Sequence, residues 1–293
     1  MNPAQSSPGQ WSKEVDDLVR GASGGFLFGI PLLYTMEVWW IGSFINPQRM
    51  LVALAITFGI VFVLNRTAGF RRTEGISFFD GIIATVEALA ISTVCAGIIL
   101  VLLRRITIDT PLPEILGKIV YEAVPFAVGV ALANQLLRAG GEANHSQHSQ
   151  NEQPQDTRKE RINGTLADIG ATLVGAMFIA ATIAPTDEIP MLVVSLSHPW
   201  LLGLMAASLV ISYGIVFEAG FADQERREQQ RGIFQRPLSE TIVSYLISVA
   251  AAALMLWFFH QLSFNDPWQM WLNYSIVLGL PATIGGAAGR LAV

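Results

Sequence analysis

Cysteine is almost absent. Cys95 is the one cysteine in 293 residues, so no disulfide can form within the chain and a cysteine-built zinc site is excluded. Charge is scarce as well, at 14% of residues against about 25% in soluble domains. No basic stripe with interleaved aromatics is present, and a net charge of −5 does not favour nucleic acid as a partner. A nucleophile elbow, HExxH, a P-loop and a dinucleotide fingerprint are all missing, so the chain is not expected to be an enzyme or to bind an organic cofactor. The opening MNPAQSSPGQWSKEVDDLVR lacks the basic and short apolar regions of a cleavable signal peptide. The first apolar span is therefore expected to act as its own insertion signal.

What the chain has in abundance is apolar length. Hydrophobic residues make up 52% of it, and its mean hydropathy is +0.47. After a polar tail to residue 20, in which 11–20 has the pattern of an interfacial helix, eight segments match the roughly 20 apolar residues that cross a bilayer. They are 21–41, 50–65, 78–103, 115–137, 164–184, 199–219, 238–260 and 271–293, with an apolar approach at 189–196 readable as re-entrant or as an extra turn. A polar linker at 138–161, rich in Gly, Asn, Gln, Ser and charge, has too few apolar residues for a core and reads as disordered. The expected fold is all-α: a polytopic membrane protein with eight transmembrane helices.

Lys and Arg set the orientation. Arg66, Arg71 and Arg72, then Arg138, Arg158, Lys159 and Arg161, then Arg226, Arg227, Arg231 and Arg236 fall on one side. The other side has Arg49, Arg104, Arg105 and Lys118. By the positive-inside rule both termini are cytoplasmic, in the cell inner (plasma) membrane, with Arg104 and Arg105 as the one conflict. Trp39, Trp40, Trp200, Trp268 and Trp271 gather at the outer ends as an aromatic belt.

The halves resemble each other. FGIVF at 58–62 recurs as YGIVF at 213–217. Thr85, Ile91 and Ser92 align without gaps on Thr241, Ile247 and Ser248, and Pro125 and Gly129 on Pro281 and Gly285. Gly24 and Gly29 match Gly170 and Gly175 more weakly. Four spans per half is an even number, which predicts two parallel four-helix repeats, 21–137 and 162–293, about an axis along the membrane normal.

Carboxylates within the spans are the candidate functional residues, because each costs roughly 3 kcal/mol or more in the apolar layer. Ser77 to Leu103 carries Asp80 and Glu87, seven apart and so on one helix face. Glu37, Glu122 and Glu240 join them as a candidate cation or proton path, with Glu87 the preferred site. The competing reading is structural. Asp80, Asp168 and Glu240 open helices where the dipole favours acid, and Asp187, Glu188 and Glu218 stand at the water boundary. His145 and His148, or His198 and His260 with Asp187 or Glu188, could ligate metal, but no metal is assigned. Gly21, Gly25 and Gly29, like Gly285 and Gly289, permit close helix approach, within one chain or in a homo-oligomer.

The EVDDLVRGASGGFLFGIPLLYTMEVWW opening and the FFDGIIATVEALAIS span resemble a family of uncharacterised bacterial integral membrane proteins over nearly the whole chain. The resemblance implies a multi-span membrane protein and carries no catalytic residue with it. Two function classes follow from the residues: a transporter or channel for a cation or proton using intramembrane carboxylates, or a non-transport scaffold, sensor or assembly protein in which they are structural. The expected partners are the lipid bilayer, an inorganic cation or proton, and a second copy of the chain.

Overall fold

The computed structural model describes residues 8–68, 78–148, 157–218 and 237–291. Every regular element among the described residues is a helix. The first half comprises α1 (Pro8–Leu33), α2 (Met36–Ser43), α3 (Pro47–Ala68), α4 (Phe78–Leu102) and α5 (Leu112–His148). The second comprises α6 (Thr157–Ile183), α7 (Glu188–Ser195), α8 (His198–Tyr213, continued by a π-helical turn at Gly214–Glu218), α9 (Pro237–Phe258) and α10 (Trp268–Leu291). Prolines open several of them, as at Pro47, Pro199 and Pro237, where the missing N–H costs nothing.

Six helices, α3, α4, α5, α6, α8 and α9, are long and apolar enough to cross a membrane, or seven if α1 and α2 count as one bent span. The sequence pattern predicts eight, with Pro31, Pro125 and Pro281 able to kink theirs, and the difference has two causes. The first is a break in the span expected at 21–41, where α2 leaves α1 at 85°. Pro31 has no N–H to offer the last turn of α1, and Thr35 is extended, with φ −89° and ψ 109°. The second is α10, where Gln269, Asn273 and Arg290 dilute the apolar run. This helix is buried without interruption from Ser275 to Ala287, so it meets protein rather than lipid and needs small residues more than apolar ones. Helix α3 is its opposite. It exposes Leu51, Val52, Ile56, Ile60 and Val63, a surface suited to acyl chains and not to water.

Polar segments at the helix ends also depart from expectation. The supposed tail is helical from Pro8 and continuous with α1. The supposed linker is helical through His148 and again from Thr157, while 149–156 lie outside the described residues. The apolar approach at 189–196 is the short helix α7.

Each half is built around its last helix. α5 packs against α1, α2, α3 and α4, and α10 against α6, α7, α8 and α9. Each half has a close contact of backbone on backbone at glycine between its first and last long helices. A Cβ on Gly24 would stand 2.5 Å from the Gly129 carbonyl oxygen, and Gly175 meets Gly285 in the same way. Gly24 thus occupies the place of Gly175. The weak match of Gly24 and Gly29 to Gly170 and Gly175 is therefore out of register by five residues: Gly170 has nothing close to it, and Gly29 lies under the Phe126 ring.

The turns leading into the two central helices are also alike. Arg104 and His260 end α4 and α9 with positive φ, 55° and 64°. The N–H groups of Arg105 and Ile106 return to the Leu100 carbonyl, and those of Gln261 and Leu262 to the Leu256 carbonyl, which closes each helix with a left-handed cap. Thr107 N–H then bonds Thr110 Oγ1 at 2.9 Å, where Ser263 N–H bonds Asp266 Oδ2 at 2.7 Å.

Hydrogen bonds among the described residues tie the halves together. Pro281 cannot donate to the carbonyl of Val277, four residues before it, and the Tyr34 hydroxyl of α1 donates to that oxygen instead, at 2.7 Å. Arg105 Nη2 donates to Ser195 Oγ at 2.5 Å. Cys95 lies free in the apolar core.

Candidate functional site

The five candidate acids do not meet in one place. Glu37 is exposed on α2, beyond the bend that ends α1. Asp80 is exposed in the first turn of α4. Glu87 is half-buried further along α4 and takes part in an interaction of its own. The antiparallel register of α4 and α5 places Gly97 against Ile119, so Glu87 falls near the level of Gly129. That is seven residues, or roughly 10 Å at 1.5 Å per residue, from the level of Glu122. No group of three or more metal-ligating side chains occurs among the described residues.

Glu240 belongs to a structural cluster. It forms an ion pair with Arg290 of α10, which is 1% exposed. Arg290 Nη1 also donates to Ser244 Oγ at 3.0 Å, and the guanidinium lies 6.0 Å from the centre of the Phe217 ring. In the first half, Arg66 stands over Phe62, the matching residue of FGIVF, at 5.8 Å. Arg290 escaped the sequence reading because attention fell on acids. An arginine within an apolar span is as costly as a glutamate, and its presence was the available signal.

Glu122 differs from all of these. It is the eleventh of the 22 residues in the apolar stretch Leu112–Ala133 of α5. It is 0% exposed, and neither carboxyl oxygen has a hydrogen-bond partner among the described residues. Helix α5 is the most enclosed element of its half because α1 to α4 surround it, and Glu122 lies among core residues such as Ala123 and Phe126. Three residues on, Pro125 has no N–H for the Tyr121 carbonyl, so a second oxygen beside Glu122 loses its helical donor. A buried polar group without a partner costs about 1–3 kcal/mol. The fold tolerates that cost at Glu122 and not at its aligned counterpart, which is the fully buried Leu278.

One turn toward the α4–α5 end stands Lys118, nearly buried. Its ammonium bonds Glu114 Oε1 and the Arg105 carbonyl, each at 2.7 Å. The Arg105 guanidinium lies 4.9 Å from the centre of the Trp39 ring, and burial holds its pKa below the ordinary arginine value. Arg104 lies 5.8 Å from the centre of the Trp200 ring. Both arginines are therefore engaged in packing, which weakens them as markers of a cytoplasmic loop.

His198 and His260 are exposed and show no ligand cluster among the described residues, while His145 and His148 fall where side chains are not described. No curated protein and no solved structure matches the chain. The apolar helices, the lipid-suited face of α3 and the enclosed carboxyl agree with the one match found. Over residues 17–293 the sequence matches the family described as "Putative integral membrane protein (DUF2391)", and the chain belongs to that family.

Proposed function

We propose that this integral membrane protein moves protons or a small cation across the bilayer by way of Glu122. The observation that carries the reading is a carboxyl at mid-span, fully enclosed, with both oxygens unpartnered. A carboxylate in such a place is tolerated only with a proton or a cation on it. A group that must hold such an ion, and has no fixed partner to hold instead, can take one up and release it. The Tyr121 carbonyl freed by Pro125 would supply a further oxygen for a cation. Glu87 is a second station on α4, and Asp80, Glu37 and Glu240 are peripheral.

The architecture proposed to serve this path is eight membrane-crossing helices in two parallel four-helix repeats. They are α1, α3, α4 and α5, then α6, α8, α9 and α10, with α2 and α7 as extra turns on the outer face. The paired glycine contacts and the matching α4–α5 and α9–α10 turns support it. Both termini are cytoplasmic in the inner membrane, as the Lys and Arg bias favours.

The test is flux of protons, sodium, potassium and calcium into proteoliposomes holding wild type or Glu122→Gln. An ion carried by wild type and lost in a folded E122Q chain supports the reading, and flux that survives E122Q rejects Glu122 as the essential group. The second reading, a non-transport scaffold or sensor, draws on the Glu240–Arg290 pair, an acid that serves structure. It gains if wild type carries none of the four ions.

A further inference from the structure

Three charged residues stand in line on α5 at intervals of four: Glu114, Lys118 and Glu122. Residues four apart face the same way on a helix, so all three share one stripe, about 12 Å long at 1.5 Å per residue. Burial deepens along it. The Glu114 side chain is 31% exposed, that of Lys118 8%, and Glu122 is 0% exposed. One cation therefore stands between two acids and is within a helical turn of both. It is paired with the outer acid, and the inner acid is bare.

We propose that Lys118 is a tethered counter-ion that passes between Glu114 and Glu122 and so governs access to Glu122 from the α4–α5 end. This rests on the transport reading for its purpose but not for its geometry. Glu–Lys pairs at this spacing are more favourable when the acid is N-terminal, which makes Glu114 the preferred partner of Lys118. The Arg105 carbonyl adds a second bond that holds the ammonium outward. A nearby cation, the Arg105 guanidinium, is engaged with Trp39 and Ser195, and Gly42 of α2 packs against the Lys118 backbone. When the ion on Glu122 leaves, the carboxylate formed draws Lys118 inward by one turn and breaks its bond to Glu114. When a new ion arrives, the lysine returns outward. Lys118 is thus a positioning residue whose two pairings exclude each other.

The test is a double-mutant cycle on the full chain in lipid nanodiscs, read as the thermal midpoint. Lys118→Met and Glu122→Gln are combined first in the wild-type background and then in Glu114→Gln. With Glu114 present, Lys118 pairs outward and the two changes add to within about 1 °C. With Glu114 neutralised, Lys118 falls back on Glu122 and the cycle departs from additivity by about 2–4 °C. Additivity in both backgrounds, or equal coupling in both, overturns the proposal. Lys118→Gln replaces K118M if the latter does not fold. The cycle needs no flux. A chain that carries no ion sinks the transport reading and leaves the cycle to decide the lysine's movement, whereas a flux-competent chain with an additive cycle sinks the movement alone.

Discussion

The two central helices have similar surroundings and opposite contents. α5 and α10 each follow a turn of the same hydrogen-bond pattern, each meets its neighbour glycine on glycine, and each carries an internal proline at the aligned position, Pro125 or Pro281. At the aligned site, α5 encloses Glu122 without a partner, and α10 encloses Leu278. The charge α10 does carry, Arg290, is matched by Glu240, Ser244 and the Phe217 ring. The proline-freed carbonyl of α10 is also matched, by Tyr34. Buried polar atoms without a hydrogen-bond partner occur in both halves, Asn65 Oδ1 in the first and the Tyr245 hydroxyl in the second, but the charge and the proline-freed carbonyl of α10 are matched, whereas Glu122 leaves both its oxygens bare among the described residues. Stability explains the former. It does not explain the latter, since leucine fills the same place without cost.

The comparison breaks first at the paired charges. Arg290→Met leaves Glu240 without its cation, and Glu240→Gln leaves a buried guanidinium without its anion. Breaking a fully buried pair costs about 3–5 kcal/mol, and the Glu240 side chain is 27% exposed, so Glu240→Gln, which strands the enclosed guanidinium, should lower the unfolding temperature in nanodiscs more than Arg290→Met does. Flux per folded molecule should be unchanged. If either variant matches wild type in stability, the pair is not the support assigned to it.

A smaller effect of opposite sign is expected from Glu122→Leu, which copies the second half into the first. Removing an unpartnered buried polar group should stabilise the chain by about 1–3 kcal/mol, because no partner is left behind. Any ion flux should disappear at the same time. Gain of stability with loss of flux is the signature of a site kept for function at the expense of the fold. A destabilised E122L would mean that the carboxyl has a structural partner.

Much of this contrast could be read from the chain, though unevenly. Apolar runs identified the membrane and most helices, because a span must hide its backbone over about 20 residues and has little freedom in how to do so. Gly129 and Gly285 stand out in the chain at a fixed spacing from Pro125 and Pro281, and both lie where close backbone contact admits few residue types. Less legible is whatever depends on neighbours remote in sequence. Sequence position makes Glu87 the preferred acid because it lies deepest in its own span, whereas depth in a bundle also depends on which helix is central, and α5 is encircled where α4 is not. Pro31 marks a kink in the first span from sequence alone, but residues on both sides of it are equally apolar, so the size of the α1–α2 bend shows only with the extended Thr35 in the structure. Arg290 and Lys118 were passed over as loop charge or ignored, although the i, i+4 spacing of Lys118 from two glutamates was in plain sight.

The smallest effects should come from acids that are neither paired inside nor enclosed. Short helices α2 and α7 each carry an acid in their first turn, Glu37 and Glu188. Glu37 is exposed, so water already solvates it, and the helix dipole adds only a few tenths of a kcal/mol at such a site. Glu37→Gln should therefore shift stability by no more than about 0.5 kcal/mol and leave flux at the wild-type level. This result sharpens the contrast, because it separates the cost of an acid in an apolar sequence from the cost of an acid in an apolar place. Loss of flux in E37Q comparable to that in E122Q would show that an exposed acid on α2, the helix packed against Gly117 and Lys118 at the α4–α5 end, belongs to the path, and the contrast between exposed and enclosed acids would fail.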